Sequence, residues 1–362
     1  MTSSTSTSLY LTLFTVLLSA CGGSPTTSQT QEAWNQANDP FNLDASYERR
    51  LSMLPTSGST AITPWSDTYW PDQQGGIANR WAVGTGAPWG QALLSYQQVA
   101  ALTPQQVAGL SPAEKYDIFI GRFDYPLTVS ELQRANPNSP SWAGVCHGWA
   151  PAAINYYEPK AVTLTSVHGI AVPFGASDVK ALLSFYDGRV DVARQRVLGQ
   201  RCDYTLSTQP GAAGLEQCRD VNAGAFHIVL ANQLGLRQRA FVADITRDAQ
   251  VWNQPINGFE ARILQVRNGA SVGAAFGTVQ EVEIEAKMVY VVETAPNWQQ
   301  VGGHQQTKIY RYRLELAADG TIIGGEWGGT ERPDFLWTMT PPSAFQMAGL
   351  GQIYAASIGV VQ

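Results

Sequence analysis

Cysteine and histidine are the scarce nucleophiles and proton carriers of this chain, four of each among 362 residues. Cys146 lies in Ser141–Tyr157, S-W-A-G-V-C-H-G-W-A-P-A-A-I-N-Y-Y. Proline is tolerated in the first helical turn, where its missing N–H has no intrahelical partner. Pro151, followed by Ala152-Ala153-Ile154, therefore predicts a helix starting near His147–Trp149, with Cys146 at or just before its start. A thiol there feels the positive end of the helix dipole, which favours the thiolate that nucleophilic chemistry needs. The alternative is a buried cysteine acting as a small apolar residue. Gly144, Gly148, Trp142 and Trp149 around it suit an accessible backbone better than a packed core.

A thiolate nucleophile needs a base for its proton and a group to orient that base. His147 adjoins Cys146, and His168 and His304 stand beside glycines in turn-like sequence. His227 alone sits in a strand-like run, A-F-H-I-V-L-A-N over Ala225–Asn232, where a satisfied core histidine is the competing reading. Asp244 occupies a similar run, A-F-V-A-D-I-T over Ala240–Thr246. A carboxylate in an apolar strand costs several kcal/mol unless paired. If the two strands are neighbours, Asp244 and His227 satisfy each other and form a triad with Cys146; Asp220 and Asp248 are the reserve acids. The backbone N–H of Cys146 and an indole N–H of Trp142 or Trp149 are the candidate oxyanion donors, against plain aromatic packing for the two tryptophans.

The other cysteines bear on Cys146. Leu9–Ala20 is an apolar run too short to span a bilayer, and it ends L-S-A-C-G-G. This is similar to a bacterial lipoprotein signal in which Cys21 is lipidated, although Met1–Tyr10 carries no Lys or Arg. Cys202 and Cys218 are close in sequence, and an exported compartment permits their disulfide. Cys146 is then the unpaired thiol, although pairing of Cys146 with Cys202 or Cys218 stays open on the sequence alone.

Charged residues make up 14% of the chain, against a usual ~25%, with 11 Trp and 14 Tyr, as suits an exported protein. The net charge of −6 and the lack of a basic cluster argue against nucleic acid. The expected organisation is a signal peptide over 1–20, a Ser/Thr/Gln/Asn-rich flexible tether over 21–45, and one domain over 46–362. Within it, 46–140 is a helical and aromatic cover and 141–362 the catalytic core. Asp44–Leu54 is predicted as a short helix, and Ile62–Trp89 as an irregular aromatic cover. Thr103-Pro104-Gln105-Gln106 and Ser111-Pro112-Ala113-Glu114 are helix starts with cap, N1 proline and capping box. Helices are also predicted over Leu127–Ala135 with Thr128 as cap, Ser177–Asp187 and Val190–Leu198. Hairpins are predicted around His168-Gly169 and Ala318-Asp319-Gly320, and a strand over Lys287–Thr294.

The order Cys, His, Asp, with the cysteine on a helix start, resembles the papain-like and transglutaminase arrangement. The more specific likeness is V-W-N-Q-P-I-N-G-F-E over Val251–Glu260, which resembles the surface peptide of the oomycete transglutaminase elicitors, the segment plants perceive. S-W-A-G-V-C-H-G-W-A, P-W-S-D-T-Y-W-P (Pro64–Pro71) and P-D-F-L-W (Pro333–Trp337) resemble the same family, so the likeness runs from Ile62 to Trp337. It implies an α+β fold with a papain-like or transglutaminase-like core, the nucleophile helix packed on an antiparallel sheet. It implies a protein-glutamine γ-glutamyltransferase acting through a Cys146 thioester, and it raises calcium dependence, although no EF-hand loop is present. The implied partners are proteins supplying glutamine and lysine or another amine, plus a membrane reached by the lipid on Cys21. The rival readings are a deamidase or peptidase on the same triad, and a non-catalytic surface protein. The chain departs from the elicitor peptide at Ile256, Asn257, Glu260 and Ala261.

Overall fold

The computed structural model describes residues 33–84, 88–211, 218, 220–247 and 249–360. The signal segment, Cys21, the first part of the tether and Asp248 lie outside the described residues. The frame of the molecule is a sheet of short and long strands: β1 (Ser57–Ser59), β4 (Gln195–Gly199), β5 (Phe241–Asp244), β6 (Asn253–Asn268), β7 (Gln280–Val291), β8 (Gln305–Leu316), β9 (Ile322–Trp327) and β10 (Phe335–Met339). Their order is β4-β10-β5-β6-β7-β8-β9, with β1 paired to β6 beyond β5, and all these pairings are antiparallel. A separate hairpin, β2 (Val162–Thr165) with β3 (Ala171–Phe174), forms at the predicted His168-Gly169 turn.

The two faces of the sheet carry different cores. On one face, Val242 and Trp337 pack with α3 (Pro112–Phe119), α5 (Cys146–Asn155) and α6 (Ala176–Phe185). On the other, Phe241, Ala243, Ile256 and Leu336 pack with α7 (Ala223–Leu230). Side chains alternate along a strand. Thus Phe241 and Ala243 face α7, whereas Val242 and Asp244 face α5.

Several predicted starts form as expected. α2 (Pro104–Ala108) and α3 begin at Thr103 and Ser111, each with a complete capping box, and the preceding α1 (Tyr96–Ala100) starts in the same way at Ser95. The helix α4 (Pro126–Arg134) has a different cap from the one predicted. Asp117, reaching across from α3, accepts from the N–H groups of Leu127 and Thr128 at 3.1 and 2.9 Å. The cover over 62–89 is irregular, with only 3₁₀ turns in its described part, and the chain ends in a short helix, α8 (Leu350–Ser357).

Four expectations are corrected. Ala225–Asn232 is helical rather than a strand; Asn222 caps α7 by accepting from the N–H groups of Gly224 and Ala225 at 2.8 and 3.3 Å. Every residue of α7 is buried, so its apolar run shows no period from which helix could be told from strand. Val190–Leu198 forms no continuous helix: it holds only the end of a π-helical turn and the 3₁₀ turn Val192–Arg194, because Gln195–Gly199 is drawn into the sheet against β10. Asp44–Leu54 carries only the 3₁₀ turn Leu51–Met53. The flexible tether does not extend to 45: Ala33 bridges Gly324, and buried Asn38 donates to the Asp220 carbonyl at 3.1 Å.

Candidate active site

The helix α5 begins at Cys146, with Pro151 inside it rather than in its first turn. The segment preceding it is held by the aromatic cover: Val145 N–H donates to the Tyr69 carbonyl at 2.6 Å, and Asp72 N–H to the Ala143 carbonyl at 2.9 Å. Behind it, α5 crosses α6 at Gly148, where an added Cβ would lie 1.9 Å from the Ser184 carbonyl oxygen. Only glycine permits that approach. Contact with the glycine at 188 continues the crossing into the π-helical turn Tyr186–Val190.

Cys146 is a free thiol, and Cys202 pairs with Cys218, which settles the open pairing. The thiol lines a cavity of 440 Å³ together with Asp72, Trp142, His147, Arg189, Arg201, Asn253 and Trp337, among others. Asn253 Nδ2 donates to Cys146 Sγ at 3.7 Å, and the thiol donates to the Val251 carbonyl at 3.6 Å. The Asn253 backbone N–H also acts on the sulfur. The Trp337 indole N–H donates to Asn253 Oδ1 at 2.8 Å, which turns the Nδ2 end of that amide toward the sulfur. Burial nonetheless pushes the thiol up to about 11, with the two Asn253 donors working against it and the charges of Glu293 and Asp244 adding to it. Desolvation thus works against the thiolate that a helix start favours.

Asp244 stands opposite Asn253 in the β5–β6 pairing, on the Cys146 face of the sheet. Its Oδ1 accepts from Thr246 Oγ1 at 2.8 Å and from Trp252 N–H at 3.0 Å, while Oδ2 is buried without a hydrogen-bond partner. Burial pushes its carboxyl up to about 6.

The structure does not bring His227 to this site. His227 projects from α7 on the opposite side of the sheet, and its Nδ1 is hydrogen-bonded to the Tyr312 hydroxyl at 2.8 Å. Burial alone lowers it to about 4, so it is a neutral core imidazole, and it does not pair with Asp244. Trp149, the other candidate oxyanion donor, does not line the cavity: it packs in the core on the far side of α5, its indole N–H without a hydrogen-bond partner. Trp142 does line the cavity, with the Arg201 guanidinium 5.7 Å from its ring centre. The reserve acid Asp220 pairs with Arg332 and Arg247 away from the thiol. Of the other histidines, His168 packs against Tyr96 and Phe123, and His304 is exposed. His147, set aside in the sequence, does reach the cavity. It is lowered to about 4, mainly by burial and then by Arg189, so its neutral ring donates from Nε2 to the Gly188 carbonyl at 3.1 Å.

Asn253 and Trp337 were not singled out as site residues, although both lie in the motif blocks quoted above. Among the described residues no three His, Cys, Asp or Glu side chains converge as metal ligands would.

A mixed helix and antiparallel-sheet fold, with an unpaired cysteine opening a helix against the sheet, defines the class of the molecule. The chain belongs to the transglutaminase elicitor family, whose profile matches residues 133–358. It is also similar to the crystal structure of the GP42 transglutaminase from Phytophthora sojae, with TM-score 0.64 and 24% identity over 91% of this chain and 100% of that one. No curated protein sequence matches the chain.

Proposed function

We propose that the protein is a thiol acyltransferase of the transglutaminase type, with Cys146 as nucleophile on a papain-like layout. The observation that carries this is the free Cys146 thiol at a helix start, lining a 440 Å³ cavity with Asn253 Nδ2 on its sulfur. In the first half-reaction Cys146 Sγ attacks the carboxamide carbon of a protein glutamine while its proton passes to Asp244 through one water. The oxyanion is met by Asn253 Nδ2 and the Cys146 backbone N–H. The C–N bond breaks, ammonia leaves with the proton from Asp244, and a thioester remains. In the second half-reaction an uncharged primary amine attacks the thioester. Its proton passes through Asp244 to the departing sulfur, leaving an isopeptide bond and the free thiol.

Asp244 suits this role better than His227 because it shares the Cys146 face and has an unpartnered oxygen. A carboxyl near 6 is ionised at neutral pH yet easily reprotonated, which general acid–base catalysis favours. The Cys202–Cys218 disulfide supports an exported location, and lipid attachment at Cys21 is part of the same proposal. A second reading, a non-catalytic surface protein, is favoured by the raised thiol pKa and by the partners of the sulfur among the described residues, the Val251 carbonyl and Asn253 Nδ2, neither of which is an imidazole.

The test is incorporation of a fluorescent primary amine into a glutamine-rich protein by the full chain, with and without calcium, beside Cys146→Ala and Asp244→Asn. Incorporation lost in Cys146→Ala supports the transferase, and deamidation or cleavage that needs Cys146 makes it a hydrolase. Loss of all activity in the wild-type chain selects the second reading. Asp244→Asn should lower kcat by roughly 10²–10⁴ and abolish an acid limb near pH 6. An unchanged acid limb in that variant would remove Asp244 from the mechanism.

A further inference from the structure

The charged groups lining the Cys146 cavity are Asp72, Arg189 and Arg201. Two of the three are already engaged. Asp72 accepts from Arg134 at 2.8 Å, and Arg134 in turn binds Glu131 at 2.7 Å. Arg201 pairs with Asp203 at 3.2 Å, donates to the Ala249 carbonyl at 3.2 Å and lies over Trp142. Among the described residues, the Arg189 guanidinium has neither an ion pair nor a hydrogen bond. The charge acting on it most strongly is that of Arg134, a like charge, ahead of Asp72 and Glu131.

The position of Arg189 is built. It follows the glycine at 188, whose backbone packs on Gly148 of the nucleophile helix and whose carbonyl takes the His147 hydrogen bond. An arginine on such a support, facing an open cavity with its fork unused, is disposed to receive a carboxylate by two parallel N–H···O bonds. The same charge disfavours a lysine ammonium in that part of the cavity, so the carboxylate belongs to the acyl donor rather than the amine acceptor. The protein as a whole carries a net charge of −6, which would repel acidic donors without a local cation.

We propose that Arg189 is the donor-selecting residue of this site, and that the preferred acyl donors are glutamines with an acidic side chain beside them in sequence. This rests on the acyl-transfer reading. The expected preference is about fivefold, the upper end for an ion pair that solvent can reach.

The test uses three short peptides with one glutamine flanked by glutamate, by a neutral residue or by lysine. With full-length wild type and a fluorescent amine, kcat/KM should rank glutamate above neutral above lysine. The differences should lie in KM and shrink at high salt. Arg189→Gln should bring the glutamate-to-neutral ratio from about five to about one, and Arg189→Glu should invert it. Equilibrium binding of the same peptides to Cys146→Ala, read by fluorescence anisotropy, gives the ranking without turnover. A wild type that binds by this ranking yet transfers nothing refutes the acyl-transfer reading and leaves the carboxylate site standing. Equal affinity for the three peptides, or a preference that survives Arg189→Gln, overturns the assignment.

Discussion

His227 offers the sharpest separation between the order of residues in the chain and their arrangement in space. His227→Leu removes the imidazole that the Cys-His-Asp order would make the base, and it leaves the buried Tyr312 hydroxyl without its 2.8 Å partner. An orphaned hydroxyl of that kind costs ~1–3 kcal/mol, whereas removing both partners is close to neutral. The single variant should therefore lose that much stability in urea unfolding, and His227→Leu/Tyr312→Phe should recover most of it. Both should keep the Cys146-dependent amine incorporation within about threefold, because the sheet lies between α7 and the thiol. A second readout follows from protonation. His227 is lowered by burial from 6.5 to about 4, so the unfolded chain takes up its proton first. The stability it contributes is full above pH 6.5 and is lost as pH falls through 4, to a total of about 3 kcal/mol. The leucine variant should lack that share of acid destabilisation. A fall of kcat/KM by 10² or more in the stability-restored double variant would refute the reasoning and return His227 to the active site.

Trp337→Phe removes the indole donor that fixes the Asn253 amide, so kcat should drop about tenfold with KM little changed, in the same amine-transfer assay. Asp334, pushed up mainly by burial and held beside Asp220, binds its proton more tightly folded than unfolded; its stabilising effect is full at low pH, below the ordinary carboxylate range, and is lost as pH rises through its raised pKa. Asp334→Asn, which mimics the protonated acid, should flatten the alkaline fall of stability measured by urea midpoints between pH 7 and 10; an unchanged fall would mean that another group causes it. Gly148→Ala places a methyl 1.9 Å from the Ser184 carbonyl and should part α5 from α6, at a cost of more than ~3 kcal/mol in the same unfolding measurement and with loss of transfer. A soluble, fully active alanine variant would contradict the close crossing.

Local chemistry was legible where it is written in a few adjacent residues. The capping boxes at Thr103 and Ser111, the turn at Ala318-Asp319-Gly320 and the spacing of Cys202 and Cys218 each depend on neighbours in sequence, and the structure has them. The helix start at Cys146 was readable within a residue or two, although Pro151 lies deeper in the helix than its usual place. What failed was the choice between helix and strand for A-F-H-I-V-L-A-N. A fully buried run has no polar face to reveal its period, and apolar β-branched content does not outweigh an Asn222 cap. That one misreading put His227 on a strand beside Asp244 and produced a triad that the fold does not contain. Thr128 failed for a different reason: the side chain that caps α4 comes from α3.

The segment most responsible for recognising the family lies against the thiol of the proposed active site. Asn253 opens β6, touches Cys146 and stands opposite Asp244, while Ile256 lies in the core on the other face of the sheet. The family likeness implied a surface peptide. Here 253–259 are buried, Val251 and Trp252 are partly buried, and Glu260 alone is well exposed. Two of the departures from the elicitor sequence, Ile256 and Asn257, therefore fall where packing against β5 and β7 constrains them, and Glu260 falls where solvent does not. A receptor meeting the folded chain could read Trp252 and Glu260 but not the residues between them. Recognition of the whole peptide would require the strand to leave the sheet, which would also take Asn253 from the thiol. An unfolded or proteolysed chain could display the segment, but only after the proposed catalytic arrangement had been lost.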